Sequence, residues 1–584
     1  MDTSIFAYLV PAVPALGLLA WRFKAHAITH GSAKWLLLWE ASAEALFRRR
    51  GLLVGDWTGL LPVYAGQDGH ALTVAPTGRG KGTCAIIPNL LRQRFAFLVD
   101  PGGENTAIAI KSWRGRGFDI QVLNPWAMHS EAPWQLPAHR FNPLTILDPK
   151  SMSFASDASL IAEMLISRGL SDGSNTSYFK DEAQSAIRAL LMHMVTTEAE
   201  QDCHLGTLRK WIMSDSDYWD ALMTAMIRNL AAAGVIKGEA QQLNRRKEQA
   251  AEEFSAIVST MKQDTNFLDD PVMREALSAG DADFSALKGT RNGKPVNGAI
   301  LSVVIPLQYL RSHAAYARLA IAVALWEMQR APVAKERVLF VLDEFPALGR
   351  MDRIAKGLAE LRKYKVWLWP IIQDLSQLKS LYDKSWSTFV SNASVKQWFG
   401  TGDLETAEYV SKNCGDATVF AKTGNGLLNP IRRQLVTPEE VQHLPLKRQI
   451  VMAGNLRPMN IRLTPYWERP EFAGRFHPNP FAGSAPSLPA TTALRFAWGK
   501  LVRIAAMILE PAPVLLYAAA IAALIALRPA IIEAEYADQT RQRIVCDYRG
   551  PLGLERRFVD RPAGIPPFCP PAKIRENYWV WKIL

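Results

Sequence analysis

Cysteine is scarce in this chain: five in 584 residues, with no Cys-x-x-Cys pair and no Cys/His cluster. A disulfide-stapled scaffold and a zinc module are therefore excluded. Cys84, Cys203 and Cys414 lie far apart, while Cys546 and Cys569 both follow the last apolar segment. Long apolar runs are also few. Ile5 to Trp21 and Pro511 to Leu527 are uncharged, and each is a little short of the roughly 20 residues that cross a bilayer. Acidic residues fall short as well, with 55 Asp and Glu against 67 Lys and Arg, a net charge of +12. That excess favours phosphate-rich or anionic-lipid partners, and a solvated basic surface explains it equally well. No internal repeat is present, which excludes a solenoid.

The two apolar stretches are expected to span a membrane. Arg22 and Arg528 can snorkel from their ends, and Ile531–Ile532 can lengthen the second. A buried core helix is the competing reading of each. No Lys or Arg precedes Ile5, whereas Arg22, Lys24, Lys34 and Arg48–Arg50 follow the first stretch. Positive charge marks the cytoplasmic side, so the large middle of the chain is expected inside and a tail from about Glu533 outside. Cys546 and Cys569 could pair in an oxidising periplasm. Lys34–Arg50 reads as a short amphipathic helix at the membrane surface.

The middle is too long for one hydrophobic core, so two or three soluble domains are expected. Short strands are predicted between Leu52 and Tyr64, then at Ala71–Ala75, Phe95–Val99 and Ile120–Leu123. Helical periodicity takes over at Ser159–Ile166, Glu182–Val195, Tyr218–Ala232 and Ala240–Met261. Strand patterns return at Ala299–Ile305, Val338–Leu342 and Val366–Ile372, with crossover helices at Ala315–Gln329 and Asp352–Lys363. Apolar strands alternating with helices indicate an α/β fold with a parallel sheet, interrupted by an all-α insertion.

Ala75-Pro-Thr-Gly-Arg-Gly-Lys-Gly-Thr83 follows a strand and opens a helix. Thr77, Gly78, Arg79, Gly80, Lys81, Gly82 and Thr83 make a candidate phosphate cradle: backbone N–H groups turn inward and Lys81 brings a point charge. The match to G-x-x-x-x-G-K-[ST] is imperfect, since Ala75 replaces the first Gly and Gly82 offers no hydroxyl for Mg²⁺. Thr83 is a candidate metal ligand one residue further on. Taken alone, the loop also fits a plain glycine-rich turn.

Val338-Leu-Phe-Val-Leu-Asp-Glu344 is an apolar run that ends in two carboxylates. Asp343 is placed to hold Mg²⁺ and Glu344 to orient or deprotonate an attacking water. A strand meeting a charged loop is the bland alternative, which weakens once the phosphate loop precedes it in the right order. Gln373, at the tip of the next buried strand, could contact the γ-phosphate or the lytic water. Arg362 could act on a neighbouring subunit's site, or could simply complement a helix C-terminus.

The motifs together resemble the VirD4/TraG coupling proteins of bacterial type IV secretion. The likeness is carried by Ala75–Gly82, Ile87-Pro-Asn-Leu-Leu91, Asp343-Glu-Phe-Pro-Ala-Leu-Gly349 and Gln373-Asp-Leu-Ser-Gln-Leu378. Asp100-Pro-Gly-Gly-Glu-Asn105, Asn142-Pro-Leu144, Asp283–Leu287 and Thr437–Val441 extend it more weakly. The resemblance implies a RecA-like P-loop motor with an inserted all-α domain, a homo-hexameric ring and DNA-stimulated ATP hydrolysis with Mg²⁺. It implies as partners single-stranded DNA with its relaxase, or protein effectors, together with the channel proteins at the bacterial inner membrane. By motif position Lys81 is the P-loop lysine, Asp343 and Glu344 the acidic pair, Gln373 the sensor and Arg362 the arginine finger.

The expected layout follows. Residues 1–50 form an anchor and juxtamembrane helix. Residues 51–150 and 291–467 form the nucleotide-binding domain around an all-α domain at 151–290. A linker at 468–494 leads to a C-terminal transmembrane region at 495–533 and a periplasmic tail at 534–584. A docking receptor with little ATP turnover, and a related DNA-pumping ATPase, are the competing functions.

Overall fold

The computed structural model describes residues 30–59, 61–67, 69–169, 173–422 and 428–482, and the backbone of 531–538, 543–550 and 553–560. The expected spans at Ile5–Trp21 and Pro511–Leu527, and Cys569, lie outside the described residues. Among the described residues no helix is long and apolar enough to cross a membrane.

In chain order the strands are β1 Leu52–Trp57, β2 Leu61–Ala65, β3 His70–Val74, β4 Phe95–Pro101, β5 Asp119–Leu123, β6 Thr290–Arg291, β7 Lys294–Pro295, β8 Ala299–Ile305, β9 Val338–Leu342, β10 Val366–Ile372, β11 Ala393–Trp398, β12 Asp416–Lys422, β13 Leu428–Gln434, β14 Arg448–Ala453, β15 Met459–Arg462, β16 Ile531–Asp538, β17 Arg543–Gly550 and β18 Gly553–Asp560. Eleven of them form one sheet in the order β2-β1-β15-β14-β11-β3-β10-β9-β4-β8-β5. From β11 to β5 every pairing is parallel. From β11 to β2 every pairing is antiparallel.

The parallel half follows directly from composition. β8, β9 and β10 are runs of Val, Ile, Leu, Phe and Trp interrupted only by Ala299, Ser302 and Pro370, and they are buried along their whole length. Such strands need cover on both faces. The helices Glu104–Gly115, Ala314–Gln329 and Asp352–Leu361 supply crossovers between them. Phe97 and Phe340 stack at 5.1 Å across the neighbouring strands β4 and β9. The parallel strands start together at one edge and end together at the other, so everything just after a strand C-terminus gathers on one side.

The stretch between β5 and β8 is mainly helical, from Phe154–Leu165 through Ser174–Thr197, Leu205–Ile212, Ser216–Arg228, Val235–Gln249 and Ala251–Asp264 to Pro271–Ala276. The single helix expected over Ala240–Met261 is two. The chain leaves helical geometry at Ala250, with φ −143°, and Arg246 pairs with both Glu182 and Glu253 beside that turn. No Gly or Pro marks the break, because tertiary pairing decides it.

Three further expectations change. The helix expected over Lys34–Arg50 contracts to Leu38–Ala43. It is docked on the protein body: Leu36, Ala41, Leu46 and Phe47 are buried, Leu36 N–H donates to the Pro458 carbonyl, and Glu40 pairs with Arg457. The linker expected from 468 is packed as far as Phe476. Tyr466, Phe472 and Phe476 are buried, and the buried Arg469 guanidinium donates to both oxygens of buried Asp56 on β1. Ile531–Ile532 open strand β16 of a separate antiparallel sheet, β16-β17-β18, instead of extending an apolar helix. Cys546 on β17 stands opposite Glu535 on β16 and Arg557 on β18.

Candidate functional site

The turn after β3 leaves the sheet with Ala75 N–H donating to the Ile372 carbonyl, so it starts beside the C-terminal end of β10. Gly78 and Gly80 adopt left-handed backbone, φ +78° and +81°, which side-chain-bearing residues resist. The loop then enters a π-helical stretch, Lys81–Ile86, that continues as α-helix at Ile87–Leu90. Wide turns of this kind recur at functional sites. Asn89 anchors the helix from beneath: its side chain accepts from Leu53 N–H and donates to the Leu53 carbonyl on β1.

β9 carries the acidic pair to the same edge. Asp343 is 7% exposed, and its N–H donates to the Val99 carbonyl at the end of β4. Glu344 takes left-handed backbone, φ +50°, unusual for a residue with a side chain. Strain of this sort persists where surrounding structure enforces it. Buried Arg318 helps enforce it, donating to the Leu348 carbonyl just past the pair and to the Met164 and Leu165 carbonyls at the end of the first insertion helix.

The side chains meet. The Lys81 ammonium lies 3.3 Å from Asp343 Oδ1 and is ion-paired with Glu344 Oε1. Gln373, one residue past β10, donates from Nε2 to Glu344 Oε2 at 3.2 Å. Burial pushes the Asp343 carboxyl up to about 6; Lys81 opposes the rise, while Glu344 and Asp100 add to it. Lys81 itself loses stability to burial, yet the two carboxylates raise its pKa on balance. Lysine and carboxylates so far apart in sequence thus form one coupled charge cluster.

Other expected residues sit differently. Thr77 and Gly78 are exposed at the tip of the loop. The Arg79 guanidinium donates to the Leu444 carbonyl at 2.7 Å, which ties the loop to the turn before β14. The Thr83 hydroxyl donates back to the Gly80 carbonyl at 3.3 Å. Arg362 is exposed and lies before the start of β10, whereas Gln373 lies after its end. A strand of that length spans roughly 23 Å, so Arg362 cannot join its own chain's cluster.

Sequence reasoning left out a second acidic layer at the end of β4. Asp100 is fully buried, and its carboxylate accepts from Asn105 Nδ2, from Thr106 N–H and from the Thr106 hydroxyl. Glu104 accepts from Asn479 Nδ2 and is pushed up chiefly by burial, with Asp343 adding to the rise. The signal was present: an apolar buried strand running into Asp, as at β9, here followed by Pro101, Gly102 and Gly103 before a helix. Among the described residues no group of three or more His, Cys, Asp or Glu is arranged to hold a metal ion by itself.

Residues 34–486 match a family model described as "Type IV secretory system Conjugative DNA transfer". A type IV secretion system-coupling protein VirD4 of Bartonella quintana is 26% identical over 443 residues, covering 71% of this chain and 65% of that protein. The chain therefore spans just under two thirds of that relative's length. A conjugal transfer protein TraG of Escherichia coli is 26% identical over 478 residues, 72% of each chain. Among solved structures, the bacterial conjugative coupling protein TrwB lacking its N-terminal segment superposes with a TM-score of 0.57 at 18% identity, over 74% of this chain and 93% of that one. TrwB in complex with ADP and Mg²⁺ gives the same TM-score at 17% identity. The architecture is accordingly a RecA-like α/β fold.

Proposed function

Because the chain belongs to the Type IV secretory system Conjugative DNA transfer family, we propose that it is a membrane-anchored ATPase coupling protein, which recruits DNA–relaxase or protein substrates and drives them into an export channel. One observation carries this reading. Lys81 from the loop after β3, Asp343 and Glu344 from the turn after β9, and Gln373 from the end of β10 arrive on three different segments and meet at the C-terminal edge of the sheet.

ATP is the substrate that fits. Its phosphates would lie against the N–H groups of Gly78–Thr83, with Lys81 released from the carboxylates to the β- and γ-oxygens. Mg²⁺ supplies charge neutralisation to those oxygens when bound, and Asp343, one of an all-oxygen donor set, would hold it. Glu344, freed from Lys81, accepts the proton of the attacking water, and Gln373 fixes that carboxylate from its other oxygen. Movement of Gln373 would carry the nucleotide state into the helix Leu375–Tyr382 that follows it.

Arg362 supports a ring. It is exposed on the far edge from its own cluster, so only another copy could present it to a triphosphate. We take the apolar stretches Ile5–Trp21 and Pro511–Leu527 as inner-membrane anchors, 534–584 as a periplasmic tail and the motor as cytoplasmic. The helices between 151 and 290 are taken as the substrate-facing domain.

Gly82 favours a second reading, a docking receptor that turns over little ATP, because the usual Mg²⁺-binding hydroxyl is missing there. The test is ATP turnover by the full chain with and without single-stranded DNA at two salt concentrations. A motor predicts turnover that rises with DNA and falls steeply with salt. Turnover indifferent to DNA, together with substrate transfer that survives Glu344→Gln, would exclude it.

A further inference from the structure

Position 82 lacks the hydroxyl that a phosphate loop ordinarily offers to a divalent cation, and the nearest hydroxyl, that of Thr83, donates to the Gly80 carbonyl. The space beside Gly82 is nonetheless faced by an oxygen. A Cβ built on Gly82 would meet Asn105 Oδ1 at 3.3 Å. Asn105 is 4% exposed, and its Oδ1 has no hydrogen-bond partner. A buried amide oxygen without a partner is costly, so something is expected to draw on it.

The direction of that oxygen is set by what holds the rest of the amide. Asn105 Nδ2 donates to Asp100 Oδ1 at 2.8 Å. Asp100 also accepts the Asn105 N–H and, on its other oxygen, both donors of Thr106. A carboxylate that accepts this many bonds leaves no room for a flipped amide, whose oxygen would face it. The Thr106 hydroxyl is in turn bonded to Ser302 on β8, which fixes the layer to the sheet. Val99, just before Asp100, pairs with Leu342, just before Asp343, so Asp100 and Asp343 end adjacent strands. Asn105 Oδ1 therefore faces the loop from the same edge that presents the acidic pair.

Resting on the nucleotide reading above, we infer that Asn105 Oδ1 takes over the task of the missing position-82 hydroxyl, as a neutral oxygen acceptor for the hydrated divalent cation of a bound nucleoside triphosphate. The donor chemistry suits a hard cation: carboxylate oxygens on one side and an amide oxygen on the other. Asp100 is then a positioning residue, holding the amide so that its oxygen faces the loop. Outer groups that orient a metal shell are worth about 10- to 100-fold in cation affinity.

The experiment uses the full chain and a fluorescent ATP analogue, whose affinity is measured in EDTA and across a Mg²⁺ or Mn²⁺ titration. Asn105→Ala is expected to raise the half-saturating cation concentration by about tenfold and to leave the metal-free affinity unchanged. In the double variant Gly82→Ser/Asn105→Ala the new hydroxyl has the space Asn105 vacated, and cation affinity should return to near wild type. Should Asn105→Ala fail to fold, Asn105→Ser keeps a donor for Asp100 but withdraws the oxygen from Gly82, and the same loss is expected. An unchanged cation titration overturns the inference. So does an equal loss with and without metal, or a loss that the double variant does not recover. Wild type that binds no analogue under any condition sinks the nucleotide reading instead.

Discussion

The two edges of the parallel sheet are built from the same strands and carry opposite kinds of charge. At the N-terminal edge, Arg94 pairs with Glu336 and donates to the Asn297 carbonyl, which joins the starts of β4, β9 and β8. Both partners are more than 40% exposed, so water already satisfies much of what the pair offers. At the C-terminal edge, Asp100 and Asp343 are buried and Lys81 is largely so, and each depends on specific partners. Charge that water can serve is cheap to keep and does little. Charge held out of water is costly to keep, and it stays where bound ligands can draw on it.

Arg362 is the sharpest way to break that contrast, because it belongs to the quiet edge. Arg362→Ala should lower ATP turnover about 1,000-fold if a neighbouring copy uses it. Mixing it with Lys81→Ala chains should restore part of the activity, since each variant supplies what the other lacks. Phosphate release from the mixture measures this, and no recovery would return Arg362 to a solvated helix end. Glu344→Gln should reduce turnover about 100-fold or more while analogue affinity stays within a few-fold, read by parallel hydrolysis and binding assays.

A smaller effect concerns acidity. Asp343 is pushed up to about 6, chiefly by burial. A carboxyl with a raised pKa keeps its proton until the pH exceeds that value, and a proton there competes with a cation. The ratio of analogue affinities with and without Mg²⁺ should be full well above pH 6 and should shrink as the pH falls through it. A ratio flat from pH 5 to 8 would mean that Asp343 does not meet the cation. The smallest effect is expected at the exposed pair: Arg94→Ala should leave turnover unchanged and cost less than about 1 kcal/mol in urea unfolding.

The parts of the molecule legible beforehand share one property, which is that their signal is local. β8, β9 and β10 were read to the residue because strands buried on both faces are dominated by apolar residues. The phosphate loop and acidic pair were legible because the two occur together, each after a strand and in the order a nucleotide site needs. The flank β14–β15 escaped notice, since half-buried strands such as Met459–Arg462 alternate with polar residues and resemble loops. The turn at Ala250 and the docking of Arg469 on Asp56 escaped as well, because each depends on a partner distant in sequence. Asn105 was visible only as part of a weak motif, and its unpaired oxygen is a fact of three dimensions.

By itself the amino-acid order determined which segments must be buried and which few polar groups sit at their ends, because water sorts residues by local pattern. It left open which ends meet. Tertiary structure decided that Lys81, Asp343, Glu344 and Gln373 form one charge cluster, that Asn105 faces Gly82, and that Arg362 lies a strand's length away. Sheet order sets those distances, and it arises from packing whole faces against one another, which no single stretch of sequence contains.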